Sequence, residues 1–428
     1  MQKNRRTFLK TLGAGVTGAM ASPGQLWAQA TEPLDHAIAA LEKTKPAGTE
    51  AYWETIRFQF HFAEGLTYFN NGSLGACPNP IREATMTFRN TLDDFPSKYM
   101  WGGWETQKEN TRKKTAQLFA VSTEEIALIH NTTEGMNLIA RSLDLQAGDE
   151  VILADHEHSS AVNPWKVWQE SKGIKLLRPT LPILPKSVDE LVAIFRKSIT
   201  PKTKVISMCH LVNTNGMILP IKEVSQIAHE KGILVAVDGA QGAGMFNIDL
   251  KDLGCDFYTV SAHKWLFSPK GVGLFYAKEA SQHYLKPLLV ARGYEDTSIR
   301  RLENYNTRNL PEVLGLGAAL DYREVIGGQK IHDRTFELKK YFRDQIANNP
   351  KLNLKTPALD TLSAGIQVVE VKGKDVQTVK TQLFDNYGID SRPMSKFGLN
   401  AVRLSFAIFI TKKQIDVLVH ALETIAES

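Results

Sequence analysis

The chain predicts an α/β protein: a large, doubly wound, mainly parallel sheet domain followed by a smaller C-terminal α/β domain. Three observations carry this. From Ile126 onwards, short apolar runs with no helical period alternate with amphipathic segments, as in a parallel sheet covered by helices on both faces. Polar and charged residues cluster just after those runs, at strand C-terminal ends, where open α/β sheets hold their ligands. The 428 residues, 43% hydrophobic, suffice for two domains with sizeable cores.

The first thirty residues read as an address. Asn4–Lys10 is NRRTFLK, an arginine pair, a polar residue and Phe-Leu-Lys. An Ala/Gly-rich stretch follows (Thr11–Ser22), and Ala28-Gln29-Ala30 puts small residues at cleavage positions. This is the pattern of a twin-arginine signal over residues 1–30, cut near Ala30. It implies recognition by the twin-arginine export machinery and delivery to the periplasm, folded and with any cofactor already inserted. A membrane anchor is the competing reading, but the stretch is short, rich in Gly and Ala, and broken by Pro23. Lys3, Arg5, Arg6 and Lys10 leave with the leader, so the net charge falls from +5 to +1. Such a surface argues against nucleic acid or an anionic membrane as the main partner. Cys77, Cys209 and Cys255 have neither metal-type spacing nor a disulfide framework, so no metal site is expected.

Residues 31–75 form an N-terminal segment, with helices over Pro33–Lys43 and Ala51–Phe62 expected to lie on the C-terminal domain. Tyr68–Gly75 (YFNNGSLG) is a glycine-bearing turn, and Tyr99–Trp104 (YMWGGW) sets two tryptophans about a flexible pair. Trp101 and Trp104 fit either a substrate mouth or the core. The large domain, residues 76–310, contains strands at Ile126–Ile129, Glu150–Ala154, Lys204–Cys209, Leu234–Val237 and Phe257–Ser261, and helices at Met136–Leu143 and Ile221–Lys231. Thr132 or Thr133 can cap the first of these helices, and its N-terminus is also a natural phosphate seat. His156 and His158 follow the second strand without the spacing of a zinc helix.

Asp238 ends one strand, and Phe257–Ser261 delivers Ser261, His263 and Lys264 to the same edge. Gly239, Gly242 and Gly244 leave room for a planar ligand. Asp238 and Lys264 suit an ordinary ion pair. They equally suit a lysine that reacts with an aldehyde, facing a carboxylate that keeps a ring nitrogen protonated. In the small domain, residues 311–428, a helix covers Leu314–Val325. The strand Ala401–Phe406 (AVRLSF) encloses Arg403, a buried cation that needs an anionic partner.

DGAQ (Asp238–Gln241) and SAHKW (Ser261–Trp265) resemble the diagnostic segments of the class V aminotransferase family of fold-type I pyridoxal phosphate enzymes. The resemblance extends from about Tyr68 to the C-terminus. It implies pyridoxal 5'-phosphate on Lys264, with Asp238 at the pyridine nitrogen. TTEG resembles the family's phosphate turn, with Thr133 as principal contact and Thr132 and Glu134 beside it. HEHSSAVNPW places His158 over the ring, Asn213 matches the contact to the phenolate oxygen, and Gln241 holds the ring in plane. Ser261 and His263 add donors. RLENYNTRN implies a homodimer in which Thr307 reaches the partner's phosphate, with Asn306 standing where glycine is usual. Arg403 would hold a substrate α-carboxylate, bidentate, and Arg392 a second acidic group. The family's desulfurases carry a cysteine on the loop matching SRPMSKFGLNAVR; here there is none.

Within the family the chain resembles the isopenicillin N epimerase-like branch. Exported members of that branch include a periplasmic enzyme that tailors the glutamyl side chain of the siderophore pyoverdine. The resemblance implies an enzyme acting at Cα of an amino acid or amino-acid-derived group. A one-base transamination or related tailoring step ranks ahead of epimerisation, C–S lysis and a non-catalytic binding role.

Overall fold

The computed structural model describes residues 23–44 and 48–428, so the twin-arginine segment at 4–10 lies outside the described residues. The first helix, α1 (Pro23–Lys43), starts well before Pro33 and runs unbroken through Ala28–Ala30. Packing explains the early start. Ala30 is fully buried, and the Trp27 ring lies 5.3 Å from that of Phe88. A Cβ at Gly317 would stand only 3.1 Å from Trp27, so the glycine makes room for the indole. Thr31 Oγ1 donates to the Trp27 carbonyl at 3.0 Å. The helix α2 (Glu50–Phe58) meets the C-terminal domain, where Glu50 accepts from both Arg334 Nη atoms at 2.8 and 2.9 Å. The helix α1 lies mainly on α3 (Asn79–Asp94), which precedes α4 (Glu105–Leu118), and also meets the helix at Leu310–Ile326.

The short strand β1 (Thr67–Tyr68) leads into the large domain. Its sheet holds β2 (Ile126–Ile129), β3 (Glu150–Ile152), β4 (Lys175–Leu177), β5 (Thr203–Cys209), β6 (Leu234–Asp238), β7 (Phe257–Ser261) and β8 (Gly273–Ala277), in the order β2-β8-β7-β6-β5-β3-β4. Neighbours from β7 to β4 run parallel, whereas β8 is antiparallel to both β2 and β7. Nearly every residue of β2 and β5–β8 is buried, which is why these runs are apolar on both faces. The covering helices include α5 (Thr132–Ser142), α6 (Ser159–Lys172), α7 (Val188–Ser198) and α8 (Ile221–His229). The helix α9 (Leu310–Ile326) starts at Leu310, earlier than expected, with Pro311 in its first turn, where a missing N–H costs nothing.

After α10 (Gly328–Ile346) come β9 (Leu352–Leu354), β10 (Ile366–Val371), α11 (Val376–Tyr387), β11 (Ile389–Asp390), β12 (Arg392–Met394), β13 (Ala401–Ser405) and α12 (Lys412–Glu427). Four of these strands make an antiparallel sheet in the order β12-β13-β10-β9. The parallel pair β1–β11, a separate two-stranded sheet, ties the YFNNGSLG turn to the C-terminal domain.

Trp27→Ala should cost about 2 kcal/mol, as expected for a partly buried ring, and lower the melting temperature. A chain starting at Thr31 should lose more than the point variant in the same thermal scan. Equal melting of all three would show that the first two turns of α1 contribute nothing.

Candidate active site

The parallel register of β5, β6 and β7 brings their C-terminal ends side by side, with Cys209 opposite Asp238 and Asp238 opposite Thr259. A cavity of about 260 Å³ opens there. It is lined by Thr132, Thr133, His158, Asn213, Asp238, Gln241, Ser261, His263 and Lys264, and also by Ser73, Asn131 and Ser160. The sequence thus identifies most of the wall. Among the described residues no group of side chains is arranged to hold a metal ion.

Lys264 stands on the turn after β7, and its backbone is clamped by the YFNNGSLG segment. Asn71, fully buried, donates from Nδ2 to the Lys264 carbonyl at 3.0 Å. A Cβ at Gly75 would lie 2.4 Å from the same carbonyl oxygen and 1.8 Å from that of His263, so only glycine fits. Burial lowers the Lys264 amine to about 8; Asp238 opposes the shift, while Arg403 and Arg392 add to it. Asp238 is held by the Ala240 N–H, donated to Oδ1 at 3.0 Å. The glycines after Asp238 do not leave room for a ligand, as the sequence suggested. Added Cβ atoms would meet the Tyr258 ring at 1.9 Å from Gly239 and the Trp265 carbonyl at 2.5 Å from Gly244. Protein atoms fill that space. Gln241 is likewise engaged: Nε2 donates to the Gly72 carbonyl at 2.7 Å and Oε1 accepts from Trp265 Nε1 at 2.9 Å.

At the end of the cavity beneath α5, Asn131 is the helix cap. Its Oδ1 accepts from the Glu134 N–H at 3.1 Å, so neither Thr132 nor Thr133 caps, and the helix begins at Thr132 instead of Met136. Ser261 Oγ accepts the Thr132 N–H and reaches Thr132 Oγ1, both at 3.0 Å, while Thr133 is exposed to the cavity. Glu134 turns away from this seat: its Oε2 accepts from the His130 N–H at 2.8 Å and lies 2.7 Å from His130 Nδ1. His263 keeps a buried Nδ1 with no partner among the described residues. Burial, with Lys264 and Lys270 nearby, pushes that imidazole down to about 4, so it is neutral.

His158 caps α6, accepting the Ser160 N–H at Nδ1, and Ser160 Oγ lies 2.7 Å from the same nitrogen. Burial lowers its pKa; Asp238 opposes, and Lys264, Arg392 and Lys396 assist. His156 faces elsewhere, 3.0 Å from Thr214 Oγ1. Arg403, 1% exposed, borders the site through its contacts: Nη1 donates to the Asn213 carbonyl at 2.9 Å and Nη2 to Ser73 Oγ at 2.6 Å. Its Nε has no partner, and among the described residues no carboxylate forms an ion pair with it. The acidic partner expected for this arginine is therefore not found among the described residues. Burial, then Arg392, lowers the guanidinium to about 9.

Thr307 is not brought to this cavity. Its segment borders a separate cavity of about 470 Å³, shared with Trp101, Arg300 and Tyr305. Trp101 is 63% exposed there, whereas Trp104 is 2% exposed and packs on Tyr99, so neither lines the Lys264 cavity. Asn306 adopts φ +57°, the left-handed region in which asparagine is the best tolerated replacement for glycine. Glu303 anchors the segment, accepting from Arg112 Nη2 at 2.6 Å and from the Leu128 N–H at 2.6 Å. Sequence reasoning missed this anchor and the side-chain contacts of Asn71 and Ser73, although the resemblance of Tyr68–Gly75 to the family's entry segment implies that its backbone approaches the cofactor pocket.

The donor set fits pyridoxal phosphate. The cavity is lined by the hydroxyls of Thr132, Thr133 and Ser261, the unpartnered imidazole nitrogen of His263, the buried Lys264 amine and, on the neighbouring strand, the fixed Asp238 carboxylate. Residues 101–418 match the family model described as Aminotransferase class-V. The chain is 29% identical over 392 residues to isopenicillin N epimerase of Streptomyces clavuligerus, covering 88% of this chain and 98% of that one. It is 33% identical over 401 residues to a probable cysteine desulfurase of Halalkalibacterium halodurans, covering 85% and 93%. Among solved structures, the Escherichia coli cysteine desulfurase superposes with a TM-score of 0.74 at 25% identity, covering 88% and 98% of the two chains. The fold is also that of C-DES, solved with glycine linked to its pyridoxal phosphate, at a TM-score of 0.77 and 22% identity over 86% and 98%. With its mostly parallel large sheet and smaller C-terminal domain, the chain belongs to the class V aminotransferase family.

Proposed function

We propose that the chain is a pyridoxal phosphate-dependent enzyme that acts at Cα of an amino acid or amino-acid-derived group, by transamination or a related tailoring step. The observation that carries the proposal is Lys264, a buried amine lowered to about 8, within the field of both Asp238 and Arg403, whose guanidinium has no ion pair among the described residues. When bound, the cofactor supplies an electron sink for the bond that breaks at Cα. Asp238 holds a proton on the ring nitrogen, because an adjacent carboxylate favours the cation. Arg403 takes the substrate carboxylate. Lys264, close to half neutral near pH 8, moves the Cα proton. His158, fixed by Ser160, would cover the other ring face.

Epimerisation is the second reading, favoured by the similarity to isopenicillin N epimerases over nearly their whole length. It requires a second proton donor on the face assigned to His158. Desulfurase-type C–S lysis finds no cysteine on the Met394–Ala401 loop, where Phe397 instead lies 4.5 Å from the His156 ring. The reading extends to a homodimer in which Thr307 serves the partner's phosphate seat, and to export by the twin-arginine route into the periplasm. There, a siderophore side chain such as the pyoverdine glutamyl group is a fitting substrate.

Borohydride should fix the cofactor covalently on Lys264, seen by peptide mass spectrometry, and Lys264→Ala should abolish the adduct. Arg403→Ala should lower kcat/KM by roughly 2–5 kcal/mol of transition-state binding, with Arg403→Lys restoring only part. The rate at which cofactor-free protein takes up pyridoxal phosphate should rise with pH through about 8, since only the neutral amine attacks. Arg392→Ala removes a like charge, so that profile should move to higher pH. Mixing Thr307→Ala with Lys264→Ala chains should restore activity through hybrid dimers; a monomer by light scattering would remove Thr307 from the site.

A further inference from the structure

Arg392 and Arg403 are direct partners across the antiparallel pair β12–β13. Like charges set opposite each other in a sheet destabilise it. Both guanidinium groups converge on one neutral atom, Ser73 Oγ, at 2.6 Å from Arg403 Nη2 and 3.4 Å from Arg392 Nη1. Among the described residues neither arginine is in an ion pair. The Asn70 amide stands between Arg403 and Asp390, donating to Asp390 Oδ2 at 3.2 Å and accepting from Arg403 at 3.3 Å. Lys396, on the adjoining loop, acts on His158 in the same sense as Arg392. Arg403, Arg392 and Lys396 thus stand on this side of the site with no ion-paired carboxylate among the described residues.

One α-carboxylate satisfies Arg403 and leaves Arg392 and Lys396 unmatched. We propose that the cross-strand pair Arg403–Arg392 selects substrates carrying a second anionic group, so that the amino acid is presented as a dicarboxylate or an equivalent dianion. The inference rests on the reading of Arg403 as the α-carboxylate anchor and adds the second charge. Arg403 is buried and fixed by Asn213 and Ser73, whereas Arg392 is exposed. The first therefore sets register and the second reads the distal group. Exposure also makes the second contact weaker and sensitive to salt.

The test compares two probes of equal shape that differ by one charge, glutarate and its monoamide glutaramate. Each is titrated calorimetrically into the loaded wild-type enzyme and into Arg392→Ala, Arg392→Lys and Arg403→Ala. Glutarate should bind the wild type several-fold tighter than glutaramate, a gap of about 1 kcal/mol. High salt and Arg392→Ala should close that gap, and Arg392→Lys should restore part of it. Because Arg392 is exposed on a short edge strand, its variants should melt as the wild type does. Equal binding of the two probes by the wild type overturns the proposal. So does an equal loss for both probes in Arg392→Ala, which would mean that the two arginines clamp a single carboxylate. Arg403→Ala should weaken both probes; if it weakens neither, the anchor reading fails and the proposal falls with it.

Discussion

The site depends on keeping the Lys264 amine out of water while leaving it within the field of Asp238. Burial alone would drive the amine far towards its neutral form, and the carboxylate alone would hold it charged. Their balance, with Arg403 and Arg392 adding to the burial, puts the group at about 8, where both forms are populated. That balance is fragile in a geometric sense: it needs the lysine backbone fixed against the strand ends. Asn71 and Gly75, on a turn remote in sequence, supply the clamp, and no side chain larger than hydrogen fits at position 75.

The clamp also links the two domains. The turn that holds Lys264 is drawn into the small domain by the parallel β1–β11 pair and by Ser405 Oγ, which accepts the Gly72 N–H at 3.0 Å. Ser73 on the same turn receives Arg403. A single segment thus positions Lys264 on one side and the Arg403 guanidinium on the other. Displacing Arg403 should therefore be felt at Lys264 through both the turn and the electrostatic field.

Much of this was legible in the sequence for a definite physical reason. Strands buried on both faces are apolar throughout, so Ile126–Ile129 and Phe257–Ser261 have the bounds that their composition indicates. Residues at their C-terminal ends share an edge by topology, which brought Asp238, Ser261, His263 and Lys264 together. Contacts that depend on side-chain direction were not legible. Asn131 rather than a threonine caps α5, Glu134 turns to His130, and Gly239 makes way for Tyr258. Nor does local sequence reveal that Arg112, Leu128 and Glu303 meet, since they come from three separate elements. The early start of α1 was hidden because Trp27 finds its groove on α3 and α9, far along the chain.

The central claim is that one base, Lys264, moves the Cα proton from one side of the substrate. The direct measurement is incorporation of deuterium from heavy water at Cα, followed by chiral analysis of the recovered substrate. The account predicts exchange with retention of configuration, and loss of exchange in Lys264→Ala. Racemised substrate recovered from the wild-type enzyme would contradict it and establish a second proton donor on the opposite face.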